Sequence, residues 1–436
     1  MSESTLEQIL KLATQKAEAV EIYYLSTQET PIKFENNRLK YLQTKAQQGV
    51  ALRLIYQGRL GFASSTDLTR IEDLVAAAIQ TAKVSEIAQF QFASSYNFNY
   101  PKKLECNLPQ VNELITSGQE IIERIHNYNP DILVNIDFNI QRKKIKILTN
   151  TDVFAQRLNQ LVNVNISGNL VRNEDFLQIS TSDVISELPL DINKLLEKLI
   201  QKYRWAKNSA KITTGNFPVF FTPTAVGKAI ARLFKTVLSG QFVAQKASPL
   251  THKVGETMFD PRFTLFEDPN IGPDACSFDD EGIPTMVKTF IEAGTLKSFY
   301  WDQQCAARAG CKSTGNGFRD GLSQPTPSLV NLSISPGKAS EKELISNIKE
   351  GLIVDRVLGG GQSNQLAGEF SVNLDLGYKV EKGEITGRVK NTMVAGNIFE
   401  GFQNLVDIGN FPELVGNSYY LPCIVFQNLG VATREA

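Results

Sequence analysis

Three short alternating runs reverse direction at a residue–glycine pair, and these reversals constrain the fold more than any other feature. In GVALRLIYQGRLGFASS (49–65), Val50, Leu52, Leu54 and Tyr56 alternate with other residues, Gln57-Gly58 turns, and Leu60 and Phe62 resume the pattern. MVKTFIEAGTLKSFYW (286–301) turns at Ala293-Gly294, and GYKVEKGEITGRV (377–389) turns at Lys382-Gly383. A two-residue turn returns a strand antiparallel to itself, so antiparallel sheet is expected in both halves of the chain.

Helical spacing separates these strands. Leu6, Ile9, Leu10, Ala13 and Ala17 recur on one helical face, and Thr66 to Ala88, Val111 to His126 and Leu190 to Lys207 read as further helices. Between the last two lie β-rich runs at 132–140, 143–148, 153–165 and 177–180, with turn chemistry at Thr149-Asn150-Thr151-Asp152. The expected class is α+β: an N-terminal mixed sheet with flanking helices, then a large antiparallel, barrel-like C-terminal domain. With 436 residues, more than one domain is expected. The polar link Ser209 to Asn216 divides it into an N-terminal domain (1–210) and a C-terminal β-rich domain (216–436). The aromatic, Pro-containing stretch 89–108 suggests a further division into 1–95 and 108–210.

Forty-five basic against 46 acidic residues leave a formal charge of -1, which argues against a nucleic-acid binder while leaving a local basic patch open. The N-terminal residues lack the basic and apolar runs of a signal peptide. No stretch reaches the roughly 18 apolar residues of a membrane-spanning helix. Cys106, Cys276, Cys305, Cys311 and Cys423 are scattered without metal-site spacing, which fits free thiols in a reducing compartment. The expectation is a cytoplasmic protein without nucleic-acid or membrane partners.

Thr222-Pro223-Thr224 is a helix start, a hydroxyl N-cap with Pro at the first helical position. Val226, Ala229, Ile230, Leu233 and Val237 then share a face, predicting an amphipathic helix over 225–239. Asp279-Asp280-Glu281 is the densest carboxylate cluster. It reads as a hard-cation or acid/base site, or as a charged turn before an Ile283-Pro284 strand. The loop Ser313-Thr314-Gly315-Asn316-Gly317-Phe318-Arg319 lacks the Lys-Ser/Thr ending of a phosphate-binding loop. Gly359-Gly360-Gly361 suits close backbone packing or a flap. No Gly-x-Ser-x-Gly elbow is present.

The succession FEDP (266–269), DDEGIPT (279–285), IEAGTLKSFYWD (291–302) and STGNGFR (313–319) resembles the TldD/TldE (PmbA) family, a zinc-peptidase system once described as a modulator of DNA gyrase. Its catalytic branch carries a His-Glu-x-x-x-His helix. Sliding that motif onto this chain places its ligand and base positions on Ala231, Arg232 and Thr236, and the only histidines are His126 and His252. That branch also uses a cysteine in a Cys-Gly-Lys context, whereas Cys423 follows Pro422 in an apolar run and reads as a core residue. The resemblance therefore implies a TldE/PmbA-like subunit, catalytically silent alone, with no cofactor of its own and zinc in its partner. It implies a heterodimer with a TldD-like zinc subunit acting on unfolded peptides. A homodimer that binds peptides or proteins, and an independent hydrolase built on Asp279 to Glu281, are the alternatives. It also implies that Asp279, Asp280, Glu281, Ser313, Thr314, Gly315, Asn316 and Arg319 line a substrate channel or a subunit interface.

Overall fold

The computed structural model describes residues 3–94, 108–172, 175–185, 190–359 and 364–434; Cys106, Gly360 and Gly361 lie outside them. The first half is built on one sheet with β1 (Ala19–Glu35), β2 (Arg38–Leu42), β3 (Lys45–Tyr56), β4 (Arg59–Ser65), β5 (Leu133–Thr149), β6 (Phe154–Arg172) and β7 (Asp175–Ile185). The strand order is β4-β3-β1-β5-β6-β7, with β2 beside the far end of β1. Even-numbered residues of β1 face the helices. Val20, Ile22 and Tyr24 pack with α1 (Glu3–Thr14) and α2 (Ile71–Val84), and Ile32 and Phe34 with α3 (Val111–Tyr128). The odd residues Tyr23 and Leu25 face the other way, toward Phe278 of the second half. This is the period-two rule of a strand buried on both faces. Helix α4 (Ile192–Trp205) closes the first half, its first turn capped by the Asp191 side chain.

Two expectations change. The N-terminal sheet is antiparallel throughout rather than mixed; parallel pairing occurs in the second half, where Leu352–Val354 lie alongside Val219–Phe221. The division at 95–108 does not divide the sheet, because β1 bonds to β3 on one side and to β5 on the other. Similarly, the runs 132–140 and 143–148 are one strand. The polar stretch Gln141 to Lys144 interrupts the hydrophobic alternation, but its backbone stays in register with Ser26 to Glu29 of β1.

From residue 215 onward the chain forms other sheets. Strands β8 (Gly215–Phe221), β11 (Glu350–Leu358), β12 (Glu369–Glu381), β14 (Thr392–Asn397) and β15 (Ile424–Thr433) bond in the ring β11-β8-β15-β14-β12 and back to β11, with β13 (Glu384–Arg388) appended to β12. This is a closed five-stranded barrel, and closure removes the free edges that an open sheet would present. A second sheet contains β9 (Leu265–Glu267) and β10 (Lys288–Glu292). Among the described residues, no helix is long and apolar enough to cross a membrane.

The hairpin turns form as their residue pairs require: Gln57, Ala293 and Lys382 have positive φ, as do the glycines that follow them. Two of these glycines differ in surroundings. A Cβ on Gly58 would meet nothing within 4 Å, whereas one on Gly294 would lie 2.2 Å from the Phe259 carbonyl oxygen. Gly58→Ala should therefore cost about 1 kcal/mol, the left-handed backbone alone. Gly294→Ala should cost at least roughly 1 kcal/mol more, because backbone must shift as well. Urea unfolding of both variants checks the difference.

Candidate functional site

Three places gather the polar side chains of interest. The first is a buried ionic junction between the halves. Glu21 on β1 and Arg53 on β3 are cross-strand partners, and both are almost fully buried. Arg53 donates from Nε and Nη2 to the two Glu21 oxygens at 2.8 and 2.6 Å, and from Nη1 to Glu281 Oε1 at 2.8 Å. Arg319 Nη2 donates to Glu21 Oε1 at 2.5 Å, and Arg157 on β6 donates to Asp280 Oδ1 at 2.6 Å. Asp279 accepts the N–H groups of Glu281 (2.9 Å), Ile283 (2.9 Å) and Gly317 (2.8 Å). Glu281 also accepts from the Gln303 N–H at 2.8 Å, at the start of α5 (Gln303–Ala309).

The structure thus joins two motifs that the sequence kept apart. The turn Asp279 to Glu281 and the loop ending at Arg319 wrap on each other through the Gly317 and Arg319 N–H groups. Gly317 permits this, since a Cβ there would lie 2.2 Å from Glu281 Oε2. Asn316 donates to both oxygens of Glu267, which also pairs with Lys288 at 2.8 Å. Ser313 and Thr314 are half-buried, and their hydroxyls turn toward the Trp301 carbonyl. The carboxylates do form a turn, but an interior one rather than a solvated one. Residues 283–284 contribute only an isolated bridge, and the strand begins at Lys288.

Four carboxylates (Glu21, Asp279, Asp280, Glu281) here meet three guanidiniums (Arg53, Arg157, Arg319). Burial pushes Glu281 up to about 7, against the pull of Arg53, with Asp302 and Glu21 adding to the rise. Burial, then the Glu281 charge, likewise raises Asp279 well above the usual carboxylate range. Glu21, Arg53 and Arg157 were missed from sequence. The available signal was a charged residue inside an apolar strand, as in AVEIYY and VALRLIY.

The second place is the helix over 223–237, which packs against barrel residues such as Phe221, Phe370 and Phe426. Its N-cap is Thr222 with Pro223 next, as expected, but Val226–Ala231 form a π-helical turn before Arg232–Val237 return to α geometry. Ala231 is buried, and the Thr236 hydroxyl bonds to the Arg232 carbonyl and to Gln365 Oε1. Burial lowers the pKa of both Arg232 and Lys235 on this helix. Zinc takes imidazole, thiolate or carboxylate ligands. A methyl, a guanidinium and a hydroxyl do not fit it. Cys423 lies buried in the link between Leu421 and Ile424 rather than inside a strand, and burial pushes its thiol up to about 12. Among the described residues, no group of three or more His, Cys, Asp or Glu side chains is placed to hold a metal. His252 is exposed and His126 half-buried on α3.

The third place is a cleft of about 990 Å³ between the halves. Its walls come from β7 around Ser182, the Lys194, Lys198 and Lys202 face of α4, Thr222 to Thr224, and the 411–416 segment. Lys198 pairs with Glu413 at 2.7 Å and Lys202 with Asp355 at 2.9 Å across it. This volume is at the upper end of the roughly 300–1,000 Å³ typical of ligand sites. None of the eight residues expected at a channel or interface lines it.

Residues 214–433 match the family model for the PmbA/TldA metallopeptidase C-terminal domain, and residues 20–82 match the model for domain 1 of the same family. An uncharacterized protein of Methanocaldococcus jannaschii is 23% identical over 97% of this chain and 98% of its own length. A metalloprotease TldD homolog of Haemophilus influenzae is 22% identical over 95% of this chain and 90% of its own. The crystal structure of TldE from Thermococcus kodakarensis superposes with a TM-score of 0.88 at 24% identity, covering 98% of this chain and 100% of that one, which shows the shared fold.

Two outcomes follow for the junction. Arg53→Met strands two buried carboxylates and should cost about 3–5 kcal/mol in denaturant unfolding. Because Glu281 binds its proton more tightly folded (about 7) than at its ordinary 4.5, its contribution is full below about pH 4.5 and is lost as pH rises through 7. Melting temperature measured across that window should therefore fall less steeply in Glu281→Gln than in the parent chain.

Proposed function

The chain belongs to the PmbA/TldA (TldD) metallopeptidase family, and from that premise we propose that it is the TldE/PmbA-like subunit of a two-chain zinc peptidase. In this reading a TldD-like partner carries the zinc and the cleavage chemistry. This chain carries neither; it completes the enclosure around unfolded peptide substrates and stabilises the partner. One observation carries the proposal: the helix that would hold the metal offers Ala231, Arg232 and Thr236, and Arg232 and Lys235 add positive charge where a divalent cation would sit. The resemblance in fold to an archaeal TldE supports the same assignment.

The buried junction has a part in this role. Its four carboxylates are buried and only Arg157 is partly exposed, so in this reading the carboxylates act by holding the two halves together rather than by meeting substrate. That arrangement sets the surface offered to the partner. The rival reading, a hydrolase using Asp279 to Glu281 as acid and base, asks for chemistry from groups that are buried and already committed, Asp280 and Glu281 to arginines and Asp279 to three backbone N–H groups.

Reconstitution tests the assignment. The purified chain alone should leave an unfolded peptide intact, and adding the zinc-bearing family member from the same organism should produce cleavage and a heterodimer by size-exclusion chromatography. Cleavage by this chain alone, or cleavage by the zinc subunit that is indifferent to its presence, would contradict it.

A further inference from the structure

Past Pro223, the positions of the helix over 223–237 that are not buried are Thr224, Lys228, Arg232, Lys235 and Thr236. Their spacing of three or four residues sets them on one face, so the helix has a single open lane. From Pro223 to Val237 the sequence holds no Asp or Glu. The lane therefore carries three cations and no anion. It starts in the 990 Å³ cleft, where Thr224 and Lys228 form part of the wall, and crosses the π turn at Val226–Ala231 toward Lys235. Lys228 and Lys235 lie about 10 Å apart along the axis, at roughly 1.5 Å per residue.

Among the described residues, neither Lys228 nor Lys235 pairs with a carboxylate. Burial lowers the pKa of Lys235, and no carboxylate acts against it. The acids of the cleft are engaged elsewhere. Glu413 and Asp355 are held by Lys198 and Lys202, and Glu341 has those same four groups for neighbours. At the far end of the lane the Thr236 hydroxyl donates to Gln365 Oε1 at 3.0 Å, which leaves the NH2 of that amide as a further donor. A half-buried ammonium without an acceptor is costly, and an arriving carboxylate recovers part of that cost. The cations are spread along the helix, so they match separated carboxylates on a chain better than one compact anion.

We propose that this lane selects acidic polypeptide segments, taking their carboxylates against Lys228 and Lys235 with Arg232 between the two. This rests on the reading of the chain as part of a system that handles unfolded peptides, and it adds a charge preference to that reading. The group recognised is the carboxylate, whether of an Asp or Glu side chain or of a free C-terminus.

Fluorescence anisotropy with the full chain tests this. The probe is a labelled, unstructured peptide with two glutamates three residues apart and an amidated C-terminus. Saturable binding at low salt is expected, and replacing both glutamates by glutamine should weaken it about tenfold or more. Lys228→Gln and Lys235→Met should each weaken the glutamate peptide roughly fivefold and leave the glutamine peptide unchanged. Removing Lys235 strands no carboxylate, so Lys235→Met should unfold in urea as the parent does; should it misfold, Lys228→Gln decides. The glutamine peptide with a free C-terminus separates the two sources. Regained binding that depends on the lysines adds the terminal carboxylate to the ligands, and no regain confines the lane to side chains. Equal affinity for the glutamate and glutamine peptides, unchanged affinity in the folded variants, or no saturable binding up to about 1 mM would each overturn the proposal. Lost charge preference with intact reconstituted cleavage would remove the lane site and leave the subunit role standing. Absent cleavage with charge-dependent binding intact would do the reverse.

Discussion

Arg53 holds this structure together in the literal sense. Its guanidinium is shared between Glu21, its neighbour across the N-terminal sheet, and Glu281, which arrives from the other half of the chain. A buried charge of this kind is costly unless every donor finds an acceptor. The partners of Arg53 are therefore fixed, and so are the turns that present them. Glu281 can reach it because Asp279 ties down the Glu281 and Ile283 N–H groups on either side of Gly282 and that of Gly317, and Gly317 leaves room for the Glu281 side chain. Arg319 closes the circuit back to Glu21. The ion pairs add direction to the apolar contact of Tyr23 and Leu25 with Phe278 at the same place.

The helix over 223–237 has a different history of constraint. It is buried on most sides by barrel residues, and its π turn adds a residue to the helix just before Arg232. Ala231 and Thr236 on this helix serve packing and hydrogen bonding. Ala231 fills core space, and Thr236 bonds to Gln365 of the segment leading into β12. Such a helix can keep the family's architecture without its reaction. The barrel packs against this helix through Phe221, Phe370 and Phe426 whatever its polar face carries.

Much of the fold was legible in the sequence because turns and helix caps are local. Gln57-Gly58, Ala293-Gly294 and Lys382-Gly383 announce their hairpins, and Thr222-Pro223 announces its helix. Long-range bonding was not legible. The polar run Gln141 to Lys144 breaks the side-chain pattern although the backbone runs on in register, and the pairing of Glu21 with Arg53 spans 32 residues. The acidic turn at 279–281 was readable as a turn but not as a buried one, since its partners lie on β3, β6 and the loop at Arg319.

The account stands or falls on the metal chemistry of the helix at Ala231, Arg232 and Thr236. Elemental analysis of the purified chain, after exposure to excess zinc and exhaustive dialysis, addresses it directly. The prediction is a zinc content far below one per chain, unchanged by Cys423→Ala. One tightly retained zinc per chain would contradict the account.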